Sequence, residues 1–195
     1  MDVCGALIGL LLAAPVLLAV AFFIRLTMGS PVLFLQRRPG QGGRPFTLVK
    51  FRTMADLRDD AGVLRPDARR LTSVGRWLRR TSLDELPELI NVLLGHMSLV
   101  GPRPLLLEYL DVYTPRQARR HEVKPGLTGW AQVNGRNAVT WEERFELDVW
   151  YVDNWSLRLD LRILWLTLVK TIRREGIGAP GHDTTMPRFE GGRDR

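Results

Sequence analysis

Apolar residues crowd the first two dozen positions of the chain. From Val3 to Ile24 it reads V-C-G-A-L-I-G-L-L-L-A-A-P-V-L-L-A-V-A-F-F-I, with no charge. About 20 such residues suffice to cross a bilayer as a helix. Pro15 sits near the middle, where it removes a backbone donor and crowds the carbonyl four residues earlier, which predicts a kink at Ala14-Pro15. Either a kinked helix spans the bilayer, or a sharp break returns it to the side it entered. The residues alone favour the spanning form, because kinked transmembrane helices are common. No basic region precedes the stretch and no A-x-A site ends it, which argues against a cleaved signal peptide.

Beyond this segment the pattern alternates between short extended runs and helical periods. Ser30 to Gln36 reads as a strand, Arg37 to Pro45 as a turn cluster rich in Gly and Pro, and Phe46 to Thr53 as a second extended run. A period of two puts Phe46, Leu48, Lys50 and Arg52 on one face, so two cations point the same way. Asp56 to Arg70 lacks apolar periodicity and reads as an exposed loop or polar helix. In Asp84 to Leu94, Leu86, Leu89, Ile90, Leu93 and Leu94 recur at helical spacing. Its start is marked either by Ser82 with Glu85 as a capping box or by Asp84 as the cap, with Pro87 in the first turn. Asn134-Gly135 reads as a hairpin turn that projects Arg136. Trp141 to Leu157 suggests an amphipathic helix. Leu159 to Ile172 suits either an interfacial helix, with Trp165 at headgroup depth, or a buried core helix. The tail beyond Gly176 is expected to be loosely held.

Charge adds a second layer. The net charge is +7, and the only lysines are Lys50, Lys124 and Lys170, so the basic character is almost wholly arginine. Guanidinium matches phosphate oxygens bidentately, which suits phosphate ligands or anionic headgroups, although a bias of the source genome accounts for the excess equally well. The basic residues follow the apolar segment, which places the body in the cytoplasm under the positive-inside rule. Cys4 is the sole cysteine, excluding an intramolecular disulfide or a cysteine metal cluster.

The candidate chemistry sits between Thr81 and Pro104. Asp84 and Glu85 are adjacent acids at a helix start, flanked by Arg79 and Arg80 and followed by the Pro-stiffened arginine Arg103. Acids at a helix start are favoured by the macrodipole alone, so capping competes with catalysis. Mg²⁺ takes one or two carboxylates and completes its shell with waters and substrate phosphates, so Asp84 and Glu85 could serve it. Lys50, Arg52, Arg79, Arg103 and Arg136 could hold phosphate, and an ionised Asp84 is a competent nucleophile toward phosphorus. No zinc, dinucleotide or P-loop pattern is present. A nucleic-acid binder would need aromatics interleaved with its basic residues, and a glycosidase would need carboxylates about 5 Å or more apart. Phosphoryl-group transfer at a membrane fits best.

Five segments together then resemble a known family: K-F-R-T-M (50–54), S-L-D-E-L-P-E-L-I-N-V-L (82–93), M-S-L-V-G-P-R-P (97–104), K-P-G-L-T-G-W-A-Q-V-N-G-R-N (124–137) and D-V-W-Y-V-D-N-W-S-L-x-L-D (148–160). The chain resembles the bacterial sugar transferases, small monotopic phosphoglycosyl transferases, and most of all the bacillosamine-type enzymes. The resemblance implies an α+β fold: a re-entrant membrane helix (1–27) with its break at Ala14-Pro15, a small cytoplasmic catalytic domain with short strands and interfacial amphipathic helices (28–178), and a flexible tail (179–195). It implies Asp84 as the nucleophile and Glu85 as its dyad partner, ligating Mg²⁺ or assisting proton transfer. It also implies phosphate contacts at Arg79 and Arg103, and connects Asp160 with the nucleotide. The implied reaction is ping-pong transfer of a sugar-1-phosphate, such as that of diacetylbacillosamine, from a UDP-sugar to undecaprenyl phosphate. It would run on the cytoplasmic face of the inner membrane, with a homodimer allowed and no nucleic acid involved.

Overall fold

The computed structural model describes residues 1–135, 139–173, 189 and 191, with the side chain of Ile172 left out. In chain order it contains α1 (Asp2–Met28), a hairpin of β1 (Leu33–Pro39) and β2 (Pro45–Phe51), then α2 (Asp67–Arg70), α3 (Ser73–Thr81) and α4 (Glu88–Leu93). There follow β3 (Ser98–Val100), α5 (Pro115–Ala118), β4 (Gly126–Thr128), α6 (Trp130–Asn134), α7 (Trp141–Asp153) and α8 (Leu157–Arg173). Helices and strands are mixed, as an α+β chain requires.

The helix α1 remains α-helical through Pro15, so the break expected at Ala14-Pro15 does not interrupt it. Proline costs one helical hydrogen bond, and here both halves of the helix are braced against the rest of the protein. Ala6 is buried with Phe46, Leu48, Leu89, Val92 and Met97. Val20 and Ile24 are buried with Phe51 and Leu78. The first contact is close because Gly5 has no side chain: a Cβ there would meet Leu99 Cδ1 at 2.6 Å. The opposite face leaves Leu7, Leu11, Leu12, Leu18, Phe22, Phe23 and Leu26 exposed.

The hairpin pairs antiparallel from Leu33↔Phe51 to Pro39↔Pro45. The first strand thus runs three residues past Gln36, and Arg37 and Arg38 belong to it rather than to the turn. Phe46 and Leu48 are buried on the face that Lys50 shares. Asn91 of α4 clamps the second strand, accepting from Val49 N at 3.0 Å and donating to Thr47 O at 2.7 Å. That clamp sets the height of Lys50 against α4.

Pairing β3 with β4 in parallel brings the 97–104 and 124–128 segments together. The helix α7 starts at a full capping box, Thr140 with Glu143. In α8, Leu159 and Ile163 face a core with Val100, Val133 and Tyr151. Its other side exposes Leu157, Leu161, Trp165 and Leu168 at helical spacing. One face of α8 is therefore core, as the buried-helix reading expects, and the other is apolar surface.

Asn134-Gly135 is not a hairpin turn. Asn134 ends α6, and Gly135 follows it as the helix stop. Arg136 lies outside the described residues, as does the tail apart from Phe189 and Gly191. Phe189 is buried with Leu105, Tyr109 and Phe145.

Candidate active site

The helix expected to begin at Asp84 begins later. Ser82, in the left-handed region at φ 56°, caps the C-terminus of α3 and makes no side-chain capping bond to the next turn. Leu83–Glu85 forms a 3₁₀ turn, and α4 starts at Glu88 behind Pro87. Proline offers no N–H, so the regular α pattern is established only beyond it. The dyad consequently rides on a tight turn between two helices, and neither Ser82 nor Asp84 is the N-cap of α4.

On that turn the two acids have different surroundings. Glu85 accepts from Lys50 Nζ at 3.0 Å, and both terminal nitrogens of Arg103 donate to it. Burial pushes the Glu85 carboxyl up, but Arg103 and Lys50 outweigh it and hold the pKa well below the carboxylate range. Asp84 is buried, and among the described residues no donor reaches its carboxylate. Burial first and the Glu85 charge second raise its pKa from 3.8 to about 6. One carboxylate is locked to cations and its neighbour is left open. Environments that push two acids apart in this way are a pattern of functional sites.

A third acid joins them. Glu88 pairs with Lys50 at 2.9 Å, and burial, with the Glu85 charge adding to it, raises its pKa to about 7. Its spacing from Glu85, one helical turn along the chain, is the signal in the sequence that could have identified it.

The cations come from three elements. Lys50 stands on the second strand, Arg103 on the loop after β3, and half-buried Arg79 on α3, where its Nε donates to Thr53 Oγ1 at 3.1 Å. The α3 helix sits tightly on that strand end, since a Cβ on Gly75 would meet Thr53 O at 1.8 Å. The charges of Lys50, Arg103 and Arg79 all act on Asp84.

The Arg103 loop is held from below. Arg120 donates to Arg103 O at 2.7 Å and is paired with Asp148 through bonds of 2.7 and 3.0 Å, both side chains being almost wholly buried. Nothing local in the sequence couples residues 28 positions apart, so sequence reasoning misses this pair. It also misses Arg38, which is close enough to Arg103 that burial and that neighbouring charge lower its pKa.

A model of the family described as bacterial sugar transferase matches residues 1–174. The chain belongs to the bacterial sugar transferase family. It is 58% identical to the uncharacterized sugar transferase EpsL of Bacillus subtilis, covering 99% of this chain and 95% of that protein. It is 44% identical to the UDP-glucose:undecaprenyl-phosphate glucose-1-phosphate transferase of Escherichia coli, covering 87% of this chain and 39% of that one. It is 40% identical to the galactosyl transferase CpsE of Streptococcus agalactiae, covering 86% of this chain and 40% of that protein. The chain thus spans about two-fifths of the length of these last two relatives.

Within this sugar transferase, two residues expected at the site lie elsewhere. Arg52 donates to Met28 O, to Gly29 O at 2.8 Å and to Ser30 O at 3.1 Å. It serves the orphan carbonyls at the end of α1, where a cation also suits the helix dipole. Asp160 is buried and accepts from Tyr151 Oη at 2.7 Å, and the same hydroxyl donates to Val100 O at 3.3 Å. It braces the strand leading into the Arg103 loop. Arg52→Ala is expected to lower stability by about 0.5–1.5 kcal/mol, the net worth of hydrogen bonds to part-buried and exposed carbonyls. Turnover per folded molecule should stay within about threefold of wild type. Thermal unfolding and initial rates check this, and a selective loss of turnover would return Arg52 to the site.

The same geometry bears on Mg²⁺. Among the described residues no three acidic, histidine or cysteine side chains converge as a ready cage. Glu85 is engaged by Lys50 and Arg103, so of the two acids expected to ligate the ion only Asp84 has a free carboxylate. These residues fit a cation held by Asp84 and completed by substrate phosphate and water.

Proposed function

We propose that this sugar transferase moves a sugar-1-phosphate from a UDP-sugar to undecaprenyl phosphate through a covalent intermediate on Asp84. The observation that carries the reading is the asymmetry of the dyad, with Glu85 fixed by Lys50 and Arg103 and Asp84 beside it reached by no donor among the described residues. At a pKa of about 6, Asp84 is roughly nine-tenths ionised at pH 7. An Asp84 oxygen attacks the phosphorus that bears the sugar, the bond to the bridging oxygen breaks, and UMP leaves with that electron pair. A phosphate oxygen of the lipid then attacks the same phosphorus and releases Asp84, giving the diphosphate-linked lipid. Arg103, Lys50 and Arg79 offset the charge on the phosphates. Mg²⁺, when bound at Asp84, supplies further neutralisation of the diphosphate. Relatives named for undecaprenyl phosphate and glucose-1-phosphate support the substrate classes.

A donor screen spanning UDP-glucose, UDP-galactose and UDP-diacetylbacillosamine tests the reading. One of them is expected to yield UMP, at up to one equivalent per enzyme, with no lipid present. Release that strictly requires undecaprenyl phosphate would overturn the covalent route. The rate of this half-reaction should fall as pH drops through about 6, where Asp84 takes up its proton. Glu85→Gln removes a negative neighbour, so the acid limb should move to lower pH even as the maximal rate declines. A limb that moves up or stays put would contradict the assignment to Asp84.

We further propose that α1 enters and leaves the membrane on the cytoplasmic side by bending at Pro15 while keeping its helical pattern. Its 27 residues measure about 40 Å, more than the roughly 30 Å of a bilayer core. Yet both ends are tied to one body: Asp2 accepts from Ser98 Oγ at 3.1 Å, and Arg52 binds the carbonyls at the far end. A straight spanning helix would set those ends on opposite sides. Exposed Cys4 should therefore react with an impermeant thiol reagent only from the cytoplasmic side, and periplasmic labelling would favour a spanning helix.

A further inference from the structure

Between α1 and α3 lies a groove of about 650 Å³, walled by Val16, Ala19 and Phe23 on one side and by Ser73, Val74 and Trp77 on the other. Apart from Ser73 every one of these side chains is apolar. The volume falls within the ~300–1,000 Å³ of small-ligand pockets. We infer that this groove seats the first isoprene units of the long-chain prenyl phosphate, with its phosphate at Arg79 and the dyad. The inference rests on the acceptor proposed above and adds where its chain lies.

Continuity carries the argument. Leu78 lines the groove, and Leu83, the residue before Asp84, packs against the buried cluster that Leu78 forms with Val20, Ile24 and Phe51. Arg79, the residue after Leu78, turns the other way, bonding Thr53 on the segment that follows Lys50. A single helix thus presents an apolar wall on one side and a cation to the phosphate site on the other. An amphiphile with an anionic head and a long apolar tail satisfies both. Phe23 and Trp77 of its walls are exposed, as are Phe22 and Leu26 on the outward face of α1. The remainder of a long chain can run from there into the bilayer.

The groove contributes selectivity more than affinity. Lipid tails are already apolar, so moving a chain from bilayer to groove gains little from the hydrophobic effect, and packing has to discriminate. Shape then separates a methyl-branched isoprenoid from a straight acyl chain.

Filling the groove tests this. Ala19→Trp and, as a second variant on the opposite wall, Ser73→Trp alter positions on the groove walls away from the dyad. Both are expected to raise KM for undecaprenyl phosphate by about tenfold or more, on the scale by which apolar pockets reject misfit. UMP release without acceptor should be unchanged, and so should transfer to methyl phosphate, which carries no isoprene unit to enter the groove. An unchanged KM for undecaprenyl phosphate overturns the inference, as does an equal loss with both acceptors. A photoreactive undecaprenyl phosphate bearing a diazirine in its first units supplies a readout independent of turnover. It should label 16–23 and 73–78 in the full-length enzyme in vesicles, with competition by undecaprenyl phosphate but not by phosphatidylglycerol. Equal competition by both would make the groove a general lipid surface, and a cross-link between two copies would make it a dimer contact; either overturns the inference. If wild-type enzyme releases no UMP from any donor, the proposed function fails while the labelling still decides the groove.

Discussion

Asp84→Asn is expected to abolish transfer while making the protein more stable. Loss of the attacking oxygen leaves no route to the intermediate, and removing a nucleophile from a concerted set of groups costs about 10⁴-fold or more. Incubation with the competent UDP-sugar should load wild-type Asp84 with one sugar-phosphate, visible by mass spectrometry of the intact protein, and leave Asp84→Asn unmodified. An adduct on another residue, or none on the wild type, removes the mechanism. The stability change follows from linkage. The folded pKa of Asp84 is raised from 3.8 to about 6, so the folded state binds the proton more tightly than the unfolded state. Its stability contribution is therefore complete below about pH 4 and is lost as pH rises through 6. About two pKa units correspond to at most ~3 kcal/mol, so asparagine should gain about 1–3 kcal/mol at pH 7.5 and little at pH 4. A variant destabilised equally at both pH values would mean that Asp84 is a structural acid.

Arg120→Met should be the most damaging single change to the fold. Arg120 and Asp148 are each 2% exposed, so removing one charge strands the other in the interior. Breaking a buried pair in this way costs about 3–5 kcal/mol. For a chain of this size that corresponds to a fall of about 6–20 °C in Tm. The double variant Arg120→Met/Asp148→Leu should recover much of that loss, because the unpaired charge is gone. It should not recover the turnover, since the bond from Arg120 to the carbonyl of Arg103 is gone as well. If the double variant is as unstable as the single one, the pair is not what holds this region. If it regains full turnover, the Arg103 loop is held without Arg120.

Legibility differs between one part of the site and another for reasons of range. The adjacency of Asp84 and Glu85 and the Pro-bracketed Arg103 are local patterns, so the sequence displays them. That Glu85 rather than Asp84 takes the cations depends on where the second strand and the β3 loop meet, which no local pattern encodes. Glu88 is within reach of spacing arguments, but it lies in a segment whose apolar face dominates the pattern. Lys50 and Arg52 are equivalent on a period of two, and only the end of α1, passing beside Arg52, separates them. Asn134-Gly135 shows the opposite failing. The dipeptide suits a tight turn and a helix stop alike, and tertiary packing of Val133 selected the helix.

By itself the sequence determined the apolar N-terminal helix, the mixed α+β order of elements, the family and the two acids at its centre. These follow from hydrophobic period, turn chemistry and contiguous motifs, all of which act over a few residues. The tertiary structure decided which acid is open and which is neutralised, which arginines stand at the dyad and which serve backbone carbonyls, and that both ends of α1 return to one body. Those outcomes depend on burial and on charges brought together across as many as 97 positions, as with Asp2 and Leu99. Desolvation and Coulomb interactions act through space, and the chain order alone does not contain the distances that set them.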